Sequence, residues 1–253
     1  IKWSAILRED PEQKSAQSMI LDARVKIARL TSKRRQRAAD HIAAGQYRKA
    51  FLEMQVLLDQ DPGDPQLEML QSRLQSVIGL APRLPAQTKA ARAAALGLKG
   101  YLSLPPDLRL AHNGLRYACE LDPTDERLAK LLDWLISLRP HLADADPITP
   151  GMKLLEYKRL VGLHHIYDGK YHLAAQVLGE VLALEPEDLT ALKRLGSAYF
   201  ALGRREQAAA AWNSALKLAP EDPQLRKFLK KLDGPARPSA ASSPDPPGPK
   251  ESE

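Results

Sequence analysis

The sequence predicts an all-helical chain, an α-solenoid assembled from helical hairpins. Three observations carry that expectation. A block of the C-terminal third repeats after 34 residues. The apolar residues recur at helical spacing throughout the chain. The 253 residues are 44% hydrophobic but only 5% aromatic, so the core must be built from Ala, Leu, Val and Ile. Such residues suit closely packed helices, whereas strands draw on β-branched and aromatic ones.

The repeat is read by laying Leu155 to Asp188 over Leu189 to Asp222. Gly162 then meets Gly196, Gly169 meets Gly203, Ala174 meets Ala208, and Pro186 meets Pro220. Val181 pairs with Ala215, Leu182 with Leu216, and Leu184 with Leu218. Gly162 and Gly196 fall in mid-helix, where glycine loses about 1 kcal/mol of helix propensity against alanine. A close neighbouring helix explains why it is tolerated there. Gly169 and Gly203 follow the last apolar residue of a first helix, the place of a left-handed cap. Ala174 and Ala208 open the second helix and permit close approach. Pro186 and Pro220 end it, because proline cannot continue a helix.

This pattern resembles the tetratricopeptide repeat, a 34-residue unit of two antiparallel helices. The positions that carry the resemblance are Gly196, Tyr199, Gly203, Ala208, Trp212, Ala215 and Pro220 in the last repeat. In the repeat before it, His165 stands in place of the tyrosine. Upstream the template recurs more loosely. Thr31 to Asp64 carries Ala38, Gly45, Tyr47, Ala50, Met54, Leu57 and Pro62. Arg92 to Asp125 carries Ala111, Leu115, Ala118 and Pro123, with Pro105-Pro106-Asp107 replacing the glycine turn. There Lys99 takes the place of the small residue, between Gly97 and Gly100. Trp3, Ile6, Leu7 and Pro11 match the second half of a repeat, so Ile1 is expected in mid-helix and the chain to start mid-repeat. The resemblance implies a right-handed superhelix and a bacterial multi-repeat protein, and the composition, heavy in Ala, Arg, Leu and Pro, points to a GC-rich, bacterial genome.

Single helices fill the gaps. Leu67, Leu70, Leu74 and Val77 make one stripe, and Leu128, Leu131, Leu132, Leu135 and Leu138 another beside Trp134. Residues 13–44 hold neither Gly nor Pro, consistent with one long helix or with two that bend near Thr31-Ser32. Pro82 and Pro85 mark a loop. The expected organisation is degenerate helical repeats over 1–138, a proline-rich linker at 139–150, a tandem with a capping helix over 151–233, and a disordered Pro/Ser-rich tail at 234–253. Arg226, Lys227, Lys230 and Lys231 would give the terminal helix the polar outer face that a solenoid end requires.

The family binds peptides in a concave groove lined by first helices. Carried onto this chain, the groove residues are Glu156, Arg159, Leu163, Ile166 and Tyr167, then Thr190, Lys193, Arg194, Ser197 and Phe200. Each set follows the spacing of one helix face. Leu163, Ile166, Tyr167 and Phe200 would offer apolar surface to a partner, and exposed apolar surface marks contact sites. The competing reading has the chain's own single helices covering that face. Leu163 and Ser197 stand where chaperone-tail receptors of the family carry a clamp asparagine, so an apolar or acidic protein segment is the expected partner.

The resulting expectation is a non-catalytic scaffold or adaptor, in a bacterial envelope assembly such as a pilus, secretion or motility machine. An alternative is a helper domain of an enzyme whose catalytic part lies upstream of Ile1. A third reading uses the basic stretch 24–37, in which Lys26, Arg29, Lys33 and Arg37 share a face, to meet nucleic acid or an anionic surface. No aromatic residue is interleaved there for base stacking, and a solvated helix face is the preferred reading of this stretch. The net charge of +6 weakly favours acidic partners. No cofactor is expected. His164, His165 and His172 lack further ligands at metal spacing. Cys119, the single cysteine, falls at an apolar position and reads as a small core residue. No apolar run reaches the length of a transmembrane helix, and the cellular compartment stays open between cytoplasm and periplasm.

Overall fold

A computed structural model describes residues 14–60, 63–81, 88–144 and 146–232. The expectations placed on residues 1–13, on Pro62, Pro82 and Pro85, and on the tail 234–253 lie outside them. Among the described residues the chain is helical and carries no strand. It divides into two compact units, Ile1–Ala145 and Asp146–Glu253.

In the first unit the helices are α1 (Lys14–Ala43), α2 (Tyr47–Gln60), α3 (Pro65–Leu80), α4 (Lys89–Tyr101), α5 (Leu108–Leu121) and α6 (Glu126–Leu138). The stretch without Gly or Pro is thus one helix without a break at Thr31-Ser32. Consecutive helices pack as hairpins, α1 on α2 and α4 on α5, and α3 and α6 each pack on the preceding helix. The stripes read from the sequence are the buried ones: Leu67, Leu70, Leu74 and Val77 on α3, and Leu128, Leu131 and Leu135 on α6. Leu138 is exposed, because it closes α6 where the stripe leaves the core.

The tightest crossing is between α4 and α5. A Cβ on Gly97 would stand 2.9 Å from the Ala111 carbonyl, and one on Gly114 would stand 2.6 Å from Gly97 Cα. Two helix backbones therefore touch without side chains between them. This corrects the register given to Lys99. The small residue of this hairpin is Gly97, and Lys99 is exposed. The reason is the loop. α4 ends at Tyr101, and residues 102–107 make a longer connection in which the Ser103 hydroxyl lies 2.8 Å from each of the Gly100 and Pro105 carbonyls, with one proton to share between them. The lengthened turn moves the first helix back along the template.

The second unit holds α7 (Leu154–Tyr167), α8 (Tyr171–Leu184), α9 (Leu189–Ala201), α10 (Arg205–Leu218) and α11 (Pro223–Leu232). Each helix packs on the next, and the first helices α7 and α9 also touch. Gly169 and Gly203 take φ of +73° and +74°, and Gly45 of the first unit matches them at +68°. These are left-handed turns that a side chain would strain. The core of the last hairpin gathers Leu192, Ala208, Trp212, Ala215 and Leu225. Trp212 donates its indole N–H to the Lys193 carbonyl at 3.1 Å and sits between the rings of Phe200 and Phe228, whose centroids lie 5.8 and 5.1 Å away. Gly196 makes room for it, since a Cβ there would collide with the indole ring.

A recurrent Pro-x-Asp joins the repeats. Asp64, Asp125, Asp188 and Asp222 each stand two residues after a proline in the sequence. Each then accepts backbone N–H bonds at the start of the following helix. At 123–125, 186–188 and 220–222 one tripeptide thus stops one helix and caps the next.

Candidate functional site

The proposed groove residues lie on α7 and α9. Arg159, Leu163, Ile166 and Tyr167 follow one face of α7, and Lys193, Arg194, Ser197 and Phe200 follow one face of α9. The structure gives them different roles.

Tyr167 is the exposed member, with 78% of its surface open to solvent. It closes α7 next to the Asp168-Gly169 turn. Leu163 and Ile166 are half-buried, one turn and one residue behind it. Leu160 is exposed on the same helix. Together they make an apolar surface that the described residues leave partly open. Phe200 is half-buried and lies against Trp212. It belongs as much to the core of the last hairpin as to the surface.

The cations are largely used by the fold. Arg159 is ion-paired with Asp188, which is buried and also caps Ala191. Lys193 donates to Asp222 at 2.7 Å and to Gln224 at 3.3 Å. Both pairs span 29 residues, and the first unit repeats the arrangement with Arg35 and Asp64 at 3.0 Å, again 29 residues apart. A basic residue on one first helix thus holds the aspartate that caps the next. Sequence reasoning assigned Arg159 and Lys193 to a partner and missed this ladder. Its signal was present in the recurrence of Pro-x-Asp, with a base 29 residues before three of the four aspartates. The bond from Lys193 holds the Asp222 carboxyl below the usual carboxylate range.

Arg194 differs. It donates to the Arg159 carbonyl at 2.8 Å, and none of its described hydrogen bonds goes to a carboxylate. Burial, and then the charge of Arg159, push its pKa down. It lines a shallow depression of about 220 Å³ with Met152, Glu156, Arg159, Leu160 and Thr190. Ser197 is half-buried and donates to the Lys193 carbonyl of its own helix at 3.1 Å. The arrangement offers an apolar patch ending in an aromatic ring, beside a guanidinium with donors to spare. It contains no nucleophile paired with a base.

Lys158 lies behind this face, 1% exposed, between Asp146 and Glu180 at 2.8 Å each. Through these two ion pairs the buried lysine ties the segment leading into α7 to α7 and α8.

Elsewhere, the basic stretch is split. Arg34 pairs with Glu53 at 2.9 Å and Arg35 with Asp64, while Lys26, Arg29, Lys33 and Arg37 are exposed. His164 and His172 are exposed and His165 is half-buried. Among the described residues no three His, Cys, Asp or Glu side chains group as metal ligands, and no helix is long and apolar enough to cross a membrane. Cys119 is half-buried rather than in the core, since it faces out beside fully buried Ala118, and burial raises its thiol pKa.

Residues 165–232 match the tetratricopeptide repeat family model. A search of curated proteins finds no match to the chain.

Proposed function

We propose, from residues 165–232 being tetratricopeptide repeats, that the face formed by α7 and α9 holds a segment of another protein. Repeats of this family act in protein–protein interaction, so a scaffold role follows for the second unit. The finer reading concerns what is held and how. The observation that carries it is Tyr167, a large aromatic side chain left 78% in solvent at the edge of half-buried Leu163 and Ile166. An apolar anchor of the partner fits against that patch. Arg194 supplies the charge that selects an acidic residue beside the anchor and sets its register. Arg159 and Lys193 act in this reading as spacers of the repeats, being ion-paired to Asp188 and Asp222.

The role is non-catalytic. An envelope assembly of bacterial type, a pilus, secretion or motility machine, is the setting that the resemblance supports. The test is affinity capture from an envelope and a cytosolic fraction with the parent chain and with Tyr167→Ala. Loss of a shared partner by the folded variant is the expected result. The same partners at the same yield would refute the assignment of this face.

A further inference from the structure

A second surface, in the first unit, carries positive charge that the fold does not use. A slot of about 310 Å³ opens between the α1–α2 turn and α4. One wall is Ala43, Ala44 and Gly45, nearly bare of side chains. The other presents Arg92, Ala95, Leu96 and Lys99. These four residues are spaced i, i+3, i+4 and i+7, so they form one stripe of α4. The stripe reads basic, then two apolar residues, then basic. Its two ends lie about 10.5 Å apart along the axis, at 1.5 Å per residue.

Arg92 and Lys99 are both exposed. Among the described residues neither enters an ion pair, whereas Arg35, Arg159 and Lys193 are each bonded to an aspartate. No acidic residue lines the slot. Its floor also holds no aromatic ring on which a nucleic-acid base would stack.

We infer that this slot docks an acidic helical segment of a partner protein. The segment would bear two carboxylates seven residues apart and an aliphatic side chain midway between them. The aliphatic group enters between the alanines of the two walls, and the carboxylates meet Arg92 and Lys99. Helix-in-groove recognition uses this i, i+3/i+4, i+7 pattern of anchors. The two charges fix orientation and register more than they add affinity. The slot is in the first unit and the α7–α9 face in the second, and the inference does not rest on the reading of that face.

The probe is a labelled alanine-based helical peptide carrying Glu, Leu and Glu at that spacing, with its glutamine counterpart as control. Binding to the full chain is read by fluorescence anisotropy at low and physiological salt. The glutamate peptide should bind about tenfold or more tightly than the glutamine one, and more weakly as salt rises. Arg92→Glu/Lys99→Glu should lose that preference, and Ala95→Trp should fill the slot and weaken binding by about tenfold or more. Tyr167→Ala should leave peptide binding unchanged. Equal affinity for the two peptides, or no saturable binding by the parent chain, overturns the proposal. So does undiminished binding by the charge-reversed chain. Loss in Tyr167→Ala with retention in the slot variants would place the contact on the second unit and overturn it too. A single-stranded oligonucleotide that displaces the peptide would overturn the partner class. Circular dichroism checks each fold. Arg92 and Lys99 are exposed, so their replacement keeps the test valid even if Ala95→Trp unfolds.

Discussion

Replacing Gly196 by alanine adds one methyl group at the most crowded point of the last hairpin. That methyl would overlap the Trp212 indole, with Cε2 at 2.7 Å and both Nε1 and Cδ1 nearer still. The ring has little room to yield. It is buried, stacked on Phe228, in contact with Phe200 and bonded to the Lys193 carbonyl. Helix propensity favours alanine by about 1 kcal/mol. Against it stand overpacking of about 1–3 kcal/mol and a weakened hydrogen bond of about 1 kcal/mol. The expected net loss is about 1–3 kcal/mol, or roughly 4 °C in Tm per kcal/mol for a unit of this size. Two further glycines calibrate the result. At Gly162 the added methyl meets Leu178 Cγ and Cδ2 at 2.8 Å, contacts less severe than those with the indole, so Gly162→Ala should cost less than Gly196→Ala. At Gly179, inside α8, nothing lies within 4 Å, so Gly179→Ala should stabilise by about 0.5–1 kcal/mol. Urea unfolding followed by circular dichroism and by tryptophan fluorescence measures all three. A Gly196→Ala chain as stable as Gly179→Ala would refute the steric account of this position.

Other expectations follow from the same contacts. Lys158→Ala removes the buried cation that Asp146 and Glu180 share and should lose up to about 3–5 kcal/mol, the range for breaking a buried pair; thermal melting reads it, and a change under about 1 kcal/mol would refute a structural role for Lys158. Tyr167→Ala should alter stability by no more than about 0.5 kcal/mol because the ring is exposed, yet weaken a captured partner by about 1–3 kcal/mol in a titration. Phe200→Ala should lose stability, through its contact with Trp212, so the two aromatic variants separate in a melting experiment. The Asp222 carboxyl is held below its ordinary value, so its contribution is complete above about pH 4 and fades as pH falls toward the depressed value. Asp222→Asn should remove that part of the acid sensitivity of α11, seen as a flatter amide-exchange or melting profile below pH 4.

Much of the fold was legible because it is set by local rules. A glycine with positive φ must follow a first helix, and Gly169 and Gly203 announced it. A proline must end a second helix, and Pro186 and Pro220 stand just beyond the ends of α8 and α10. The helical stripes of α3 and α6 were legible for the same reason, since a face buried along one helix repeats at a fixed period. Where a loop changed length the reading slipped. The connection 102–107 is longer than the template allows, so Lys99 was matched to a place that Gly97 holds against Gly114.

The candidate site was less legible, because a side chain's position on a helix face does not reveal what faces it from another helix. Sequence alone determined that the chain is helical, where its hairpins turn, and which residues lie along the first-helix faces of α7 and α9. Only the tertiary structure decided how those residues divide. It joined Arg159 to Asp188 and Lys193 to Asp222 across 29 residues, laid Phe200 on Trp212, and left Tyr167 in solvent. The physical reason is that burial and ion pairing are pairwise properties of groups distant in sequence. Periodicity fixes the direction in which a side chain leaves its helix, and packing alone fixes whether a partner is waiting there.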